Sequence, residues 1–550
     1  MIILTLITLA LGVPAFWLAL RYNMHMFQLN TYLNNEQAVW ISKNFRLQWI
    51  LAFSMVLGLV SMPLLKIGFT SLSVFIILLI WLTLAVIIVA YRLMIEMSSK
   101  KPLVFTARVK RMIVSIIVIS LLMLIVPLVW EAIHLEDGKV IYIAAVNGFV
   151  AWLVGAQFFM NMLANAVNKP AEEFINNRYI RDAKKILSQN PDLTIIGITG
   201  SYGKTSVKFY LETLLKAKYS VLVTPESYNT PMGIVKTIRG QMKRSHEIFV
   251  CEMGARYVGE IKEICDIVHP LHGVIASIGP QHLDTFGSIG NIQMTKFELA
   301  DALPEGGMLF LNGDSEYITE HLYYLRQSGA KLPPAYGSPV MYHAEGATDG
   351  YYATDIKVST AGTSFTAHTP DGDSFGYEMK LIGVHNVINV MAAIAVAHKM
   401  GISLKEMKIP VRRIKSVPHR MEMKTQGAVT IIDDAFNSNP VGSKAAVETL
   451  ALFDGLRVLV TPGMVELGAD EANYNYKFGT YAANCCDYIL LVGGKHTDPI
   501  REGALSAGFP EKKCLRFNRV GEAIDYAYSI STGEGEHKYI LLENDLPDNY

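Results

Sequence analysis

The run Gly197-Ile198-Thr199-Gly200-Ser201-Tyr202-Gly203-Lys204-Thr205-Ser206 decides the fold of the larger part of this chain. It follows a strand-like apolar stretch, Leu193 to Ile198, and opens a helical pattern, the context in which a glycine-rich loop cradles phosphate. Gly200 and Gly203 let backbone N–H groups curl around phosphate oxygens, and the dipole of the helix that follows adds a favourable field. Lys204 is placed to reach the terminal phosphates of a nucleoside triphosphate, and Thr205, with Ser206 beside it, to offer a hydroxyl to magnesium. The loop is short, because only Ser201 and Tyr202 separate Gly200 from the Gly203-Lys204 pair. Taken alone, such a turn can also bind nothing.

Outward from that loop, 550 residues suffice for several domains. Lysine plus arginine equals aspartate plus glutamate at 49 each, so no global charge argues for nucleic acid as a partner. The apolar content, 51% overall, concentrates before about residue 165. Stretches 1 to 20, 48 to 65, 72 to 90, 112 to 130 and 140 to 163 read as five membrane spans. The first has the alternative of a cleaved signal peptide, against which stand its missing basic n-region and long apolar run. The loop Arg21 to Leu47 carries three basic residues and Arg92 to Arg111 six, against Lys66 and Lys139 alone in the alternate loops. Basic loops belong in the cytoplasm. The sequence therefore predicts a multi-pass plasma-membrane protein with its N-terminus outside and everything from about residue 164 in the cytoplasm. Cys251, Cys265, Cys485, Cys486 and Cys514 form no CxxC pair and read as buried, reduced thiols.

Residues 164 to 190 read as an amphipathic connector resting on the membrane, with a break at Lys169-Pro170 and a helix from Ile175 to Leu187. From 191 to 410, short apolar strands (Thr194 to Ile198, Ser220 to Val223, Glu247 to Cys251, Gly273 to Ser277, Met308 to Asn312) alternate with helical stretches, as in a mainly parallel sheet flanked by helices. Residues 340 to 381 look antiparallel, and a helix follows from His385 to Met400. A second α/β unit fills 411 to 550, with strands at Val429 to Asp433, Arg457 to Thr461, Tyr488 to Val492 and Tyr539 to Leu542. The expected fold class is thus an α-helical membrane domain of five spans at 1 to 163, then α/β: a central phosphate-loop ATPase domain and a C-terminal Rossmann-like domain, with a ligand cleft between them.

Glu252 ends its strand at the sheet's C-terminal edge, where ligands bind in such folds, and fits either a magnesium ligand or a solvated strand end. His282, in Gly279-Pro280-Gln281-His282-Leu283-Asp284, follows the next strand at the same edge. Lys296 in isolation reads as a helix-surface lysine. Asn386 and Asn389, three positions apart at a helix start, suit recognition of a base edge, or in Asn386 plain helix capping. Arg420 is suited to clamp a phosphate and Asp434 to hold a ribose hydroxyl, which would require the two domains to close over ATP.

Together these motifs resemble the Mur ligase family, most closely its D-alanyl-D-alanine-adding branch. The resemblance is carried by GITGSYGKTSVK, YNTPMGI at 228 to 234, CEMGARYVGEI, GPQHLDTFGSIGNIQMTKFEL, LNGD at 311 to 314, GVHNVINVMAAIAVA, PHRME, IDDAFNSNP and GMVELG at 463 to 468, and covers about residues 191 to 500. The compressed phosphate loop is the variant those ligases use. The resemblance implies ATP-dependent, ADP-forming amide ligation, in which a substrate carboxylate takes the γ-phosphoryl group and an amine then displaces phosphate. It implies catalytic roles for Lys204, Lys296 and His282, and ATP contacts from Gly200, Gly203, Lys204, Thr205, Ser206, Asn386, Asn389, Arg420 and Asp434. Magnesium sites would involve Thr205, Glu252, His282 and Lys296, the last as a carbamate whose negative charge supports a second ion. Asn229, Thr230, Asn437 and Asn439 would touch substrate. The implied partners are a peptidoglycan precursor such as UDP-N-acetylmuramoyl-tripeptide or its lipid-linked form, an amino acid or D-alanyl-D-alanine, and the lipid of a bacterial plasma membrane.

Three features depart from the family pattern. Its small uridine-nucleotide domain is missing and the expected spans stand in its place; the C-terminal Lys-Gly-Ser is replaced by a run through Leu542-Glu543-Asn544-Asp545-Leu546; and Pro418-His419-Arg420 stands for Pro-Gly-Arg. A capsule or poly-glutamate ligase is therefore an alternative within the class. In another class, the chain would be a nucleotide-binding regulator of a membrane transport or sensor module, a role that needs no second-metal set of Glu252, His282 and Lys296. A third reading makes the spans a passive anchor.

Overall fold

The computed structural model describes residues 2–44, 49, 51–56, 58–59, 71–97, 102–133, 148–226, 228–329, 332–344, 347, 349–436, 438–533 and 535–545. The chain divides between Asn177 and Arg178 into two compact units. In the first, helices run Ile2–Leu29, Asn34–Lys43, Ser71–Met97 and Ala107–Ile133, and Gly148–Gly155 leads into Gln157–Ser188, a helix whose residues from Arg178 on belong to the second unit. Ala15, Ala19, Trp81, Ala85, Ala151 and Val154 make one part of its core. Asn23, Gln37, Gln157 and Asn161 are also fully buried there, and Arg111 holds Glu172 through two hydrogen bonds of 2.7 and 2.8 Å.

This unit corrects the five-span expectation. Among the described residues no single helix is long and apolar enough to cross a membrane; one pair bent by 70°, Gly148–Gly155 with Gln157–Ser188, meets length and composition together, and Leu79–Tyr91 is a shorter apolar helix. Apolar runs of that shorter length are as well suited to the buried face of a helical core. The first expected span is part of a helix that carries on through Arg21, Asn23 and His25, the latter two buried. The last is cut at the bend beside Ala156, and much of 48 to 65 lies outside the described residues. The plasma-membrane placement, the outside N-terminus and membrane lipid as a partner rested on those spans and fall with them. The break expected at Lys169-Pro170 is also absent, since Pro170 sits inside the helix Gln157–Ser188.

The second unit holds three sheets. In the first, the order is β2 (Val221–Val223), β3 (Ile248–Glu252), β1 (Thr194–Thr199), β4 (His272–Ile275), β5 (Leu309–Asn312) and β6 (Val340–Tyr342), all parallel. β1, Thr-Ile-Ile-Gly-Ile-Thr, is β-branched and buried on both faces, as a central parallel strand requires. A β-carbon at its Gly197 would lie 2.8 Å from the side-chain ends of both Leu299 and Met253, so glycine leaves room for helix Ile289–Asp301 to pack close on the strand. β7 (Tyr352–Ser359), β8 (Gly362–His368) and β9 (Ser374–Met379) form the antiparallel sheet. Helix Val384–Lys399 packs against the phosphate-loop helix Lys204–Leu215, with Val387, Val390, Met391 and Ile394 sharing a core with Val207, Tyr210, Leu211 and Leu214.

The third sheet has the order β10 (Glu422–Gln426), β11 (Val429–Asp434), β15 (Lys538–Glu543), β12 (Leu456–Thr461), β13 (Tyr488–Val492) and β14 (Cys514–Phe517), parallel except for β10. Edge strands β6, β10 and β14 had no counterpart among the strands expected from the sequence. All five cysteines are buried and free.

Candidate active site

The short loop after β1 is fixed by its neighbours. Ser201 N donates to Ser277 O at 2.6 Å, its hydroxyl to Gly279 O at 3.0 Å, and Tyr202 OH to Pro280 O at 2.8 Å, tying the loop to the segment after β4. Gly203 adopts φ +79, and a β-carbon there would meet Asn389 Oδ1 at 2.5 Å, so glycine is required on both counts. Asn389 is thereby seated against the loop. Lys204 Nζ folds back onto the carbonyls of Gly200 and Ser201 at 2.6 and 2.9 Å. Desolvation pushes its pKa down to about 8.

Behind the loop lies a buried charge pair. Lys208, one turn after Lys204, has Nζ 2.9 Å from Glu252 Oε2, with the side chains 0% and 1% exposed. Lys208 also donates to Glu226 O. Glu252 Oε1 accepts from Thr205 Oγ1 and Asn229 Nδ2, each at 3.1 Å. Burial raises the Glu252 carboxyl, but Lys208 and Lys204 outweigh it and hold its pKa below the ordinary value. From the C-terminal domain, Arg420 Nη2 reaches Thr205 Oγ1 at 3.3 Å. The hydroxyl of Thr205 beside the buried carboxylate is a hard-oxygen pair of the kind magnesium takes.

His282 Nδ1 bonds Glu466 Oε2, and Arg256 Nη2 donates to Glu466 Oε1 at 2.8 Å. Burial lowers the pKa of His282, with Glu466 opposing. Lys296 is 2% exposed, not on the helix surface, with Nζ 5.5 Å from the Phe286 ring centre. Among the described residues no carboxylate lies at ion-pair distance from it. Desolvation, then Lys204, push its pKa down to about 7.

The remaining sequence candidates are placed as follows. Asn386 is engaged inside the protein, accepting from Tyr210 OH at 2.8 Å and donating to Ile382 O at 2.9 Å. Ser206 is buried in the first turn of the loop helix. Thr230 caps helix Pro231–Gln241 and Asn439 caps helix Pro440–Leu450 through their side-chain oxygens. Asn437 lies outside the described residues. Asp434 ends β11, accepts from Met421 N at 3.1 Å, and is raised by burial to about 6. His419, where the resemblance led to an expectation of glycine, adopts φ +58 and anchors its ring on Asp433 at 2.9 Å.

Lys208, Glu466 and Glu543 were missed. Lys208 and Glu466 lie inside the GITGSYGKTSVK and GMVELG motifs and Glu543 in the C-terminal run, but local spacing gives none of them a role. Glu543, 1% exposed at the end of β15, receives the hydroxyls of Ser438 and, at 2.8 Å, Thr461.

A parallel sheet with a phosphate loop at its C-terminal edge, completed by an arginine and a glutamate from a second α/β domain, defines a two-domain ATP-dependent enzyme. Residues 198–397 match the Mur ligase middle domain and residues 419–542 the Mur ligase glutamate ligase domain. The UDP-N-acetylmuramoyl-tripeptide--D-alanyl-D-alanine ligase of Escherichia coli (strain K12) is 31% identical over 323 residues, 58% of this chain and 69% of that protein. The enzyme of the same name from Bacillus subtilis (strain 168) is 30% identical over 329 residues, 59% and 68% of the respective lengths. MurF from Acinetobacter baumannii superposes with a TM-score of 0.59 at 25% identity, over 68% of this chain and 78% of its own. The chain belongs to the Mur ligase family. It is an ATP-dependent, ADP-forming acid–amino-acid ligase, and ligases of this family use ATP and Mg2+.

Two outcomes follow from this geometry. Glu252→Gln and Lys208→Met should each lower stability by about 3–5 kcal/mol, because each strands a buried charge, whereas the double variant should recover a large part of the loss; thermal or denaturant unfolding measures all three. For Glu543, burial raises the pKa from 4.5 to about 7. The folded value lies above the unfolded one, so its stabilising contribution is present below about pH 4.5 and is lost as pH rises through about 7. Glu543→Gln should flatten that slope and raise the unfolding midpoint above pH 7 relative to the parent; an unchanged slope would contradict the assignment.

Proposed function

We propose that the enzyme joins an amine, D-alanyl-D-alanine in the first instance, to the free carboxylate of a nucleotide-linked muramoyl peptide in peptidoglycan synthesis. The observation that carries this reading is the meeting of Arg420 from one domain with Thr205 of the other's phosphate loop. The relatives named above, similar across both domains, supply the substrate class.

Lys204 leaves its loop carbonyls for the β- and γ-phosphates, and Arg420 balances the charge that develops as the phosphoryl group moves. The acceptor carboxylate oxygen bonds to the γ-phosphorus as the bond to ADP breaks, giving an acyl phosphate. The amine nitrogen then attacks the acyl carbon, phosphate leaves, and the nitrogen loses a proton to form the amide. Thr205 and Glu252, with His282 as a further ligand, would hold magnesium, which would supply charge neutralisation on the phosphates. Asp434, at its strand end, is the proposed ribose contact.

Lys296 is the proposed carbamate. A buried amine with no carboxylate partner among the described residues becomes an anion by bonding to CO2 and releasing a proton, and its neighbour Lys204 then attracts it instead of repelling it. With a pKa near 7 the amine is largely neutral at slightly alkaline pH, the form that reacts with CO2. In 13C NMR of protein equilibrated with 13C-bicarbonate, a carbamate signal should appear, grow as pH rises through about 7, and vanish in Lys296→Arg. A signal that survives that substitution, or none at all, would remove the carbamate.

ADP release should require both UDP-N-acetylmuramoyl-tripeptide and D-alanyl-D-alanine, and Lys204→Ala should cut it by at least about a hundredfold. ADP formation only with glutamate or a polymeric acceptor would replace this substrate assignment with the surface-polymer one. Undiminished turnover in Lys204→Ala would remove the ligase mechanism itself.

A further inference from the structure

Glu466 lies on the loop after β12 in the C-terminal domain, yet both its carboxylate and its backbone bond to the middle domain. Oε1 accepts from Arg256, Oε2 bonds His282 Nδ1, and the backbone carbonyl accepts from Leu283 N at 3.0 Å. Glu466 is held at φ +64, a conformation that a residue with a side chain keeps only where its contacts demand it. Two residues on, Gly468 packs against Leu283 and Asp284. The segment Gly463 to Gly468 is thus a latch seated on the loop that carries His282.

A metal-ligating histidine ordinarily gives its other ring N–H to a carboxylate, which fixes the tautomer and aims the free nitrogen. A carboxylate on Nδ1 keeps the proton there and leaves Nε2 as the ligand atom. This carboxylate belongs to the other domain, so it is present only when the domains are closed.

We propose that Glu466 is a positioning residue that makes His282 competent to hold a magnesium ion only on domain closure, so that phosphoryl transfer waits for the closed enzyme. The inference rests on the ligase reading of the site. With the domains apart, His282 loses the partner that orders its ring, and ATP on the open middle domain is protected from transfer to water. Arg256 shares the carboxylate and holds it in register.

The test uses the full chain and two readouts: the Mg2+ concentration giving half-maximal ADP formation, and hydrogen–deuterium exchange with and without a non-hydrolysable ATP analogue plus Mg2+. Glu466→Ala should raise the Mg2+ requirement by about tenfold or more. It should also abolish nucleotide-induced protection of residues 279–287 while leaving that of 199–206. Glu466→Gln still accepts from Nδ1–H, so its Mg2+ requirement should rise by less than about tenfold. Arg256→Met, which frees Glu466 from that register, should weaken protection of 463–468 and raise the Mg2+ requirement by less than Glu466→Ala does. A parental Mg2+ requirement in Glu466→Ala, equal impairment of the Ala and Gln variants, or a loss confined to thermal stability would each overturn the proposal. Should the Ala variant not fold, a tenfold rise in the Gln variant overturns it. Lys204→Ala, run alongside, reports on the ligase reading separately.

Discussion

The site depends on one buried contact, Lys208 Nζ against Glu252 Oε2 at 2.9 Å. Two charges taken out of water are tolerated only when geometry and further hydrogen bonds compensate their desolvation. Here Glu252 N also donates to Thr224 Oγ1 at 3.1 Å, and Asn229 and Thr205 donate to the second carboxylate oxygen. The pair locks the helix that opens the phosphate loop to the end of β3. That lock puts a hydroxyl and a carboxylate side by side at the sheet edge, which is the pairing magnesium chemistry needs.

With Glu252 largely neutralised by Lys208, positive charge is left over. Lys204 and Lys296 are both desolvated, Lys204 further lowers Lys296, and Arg420, arriving from the second domain, lowers Lys204. Three buried or half-buried cations crowded at one sheet edge are unfavourable until an anion joins them. ATP, an acyl phosphate and a lysine carbamate are each anions of the required kind, so one electrostatic deficit would account for nucleotide binding and for the proposed CO2 adduct. The same crowding explains why closure matters: Arg420 and Glu466 bring opposite charges to the middle domain from one loop-rich edge of the other.

Much of the α/β architecture was legible because its strands are short, β-branched and buried on both faces, as in β1, and because the phosphate loop has a fixed place between strand and helix. The edge strands β6, β10 and β14 carry weaker patterns; β10, Glu-Met-Lys-Thr-Gln, is polar and mostly exposed. Hydropathy misled in the first unit, where apolar composition was taken for five spans and no described helix qualifies alone. Local spacing showed Lys204, Thr205 and Glu252 at one edge, but it could not show that Thr230 and Asn439 serve as helix caps or that Asn386 faces Tyr210. Partners distant in sequence, such as His282 and Glu466, are paired only by the fold. His419 has a physical reading as well: it holds a left-handed backbone at a cost of about 1–3 kcal/mol and offsets part of it through Asp433.

On the proposed mechanism, this cationic edge moves the γ-phosphoryl group onto a carboxylate before the amine attacks. An acceptor labelled with 18O in that carboxylate, turned over with ATP and the amine, should deliver one 18O to the phosphate released. Phosphate free of label, with the label retained entirely in the acceptor or the amide, would mean that no acyl phosphate forms.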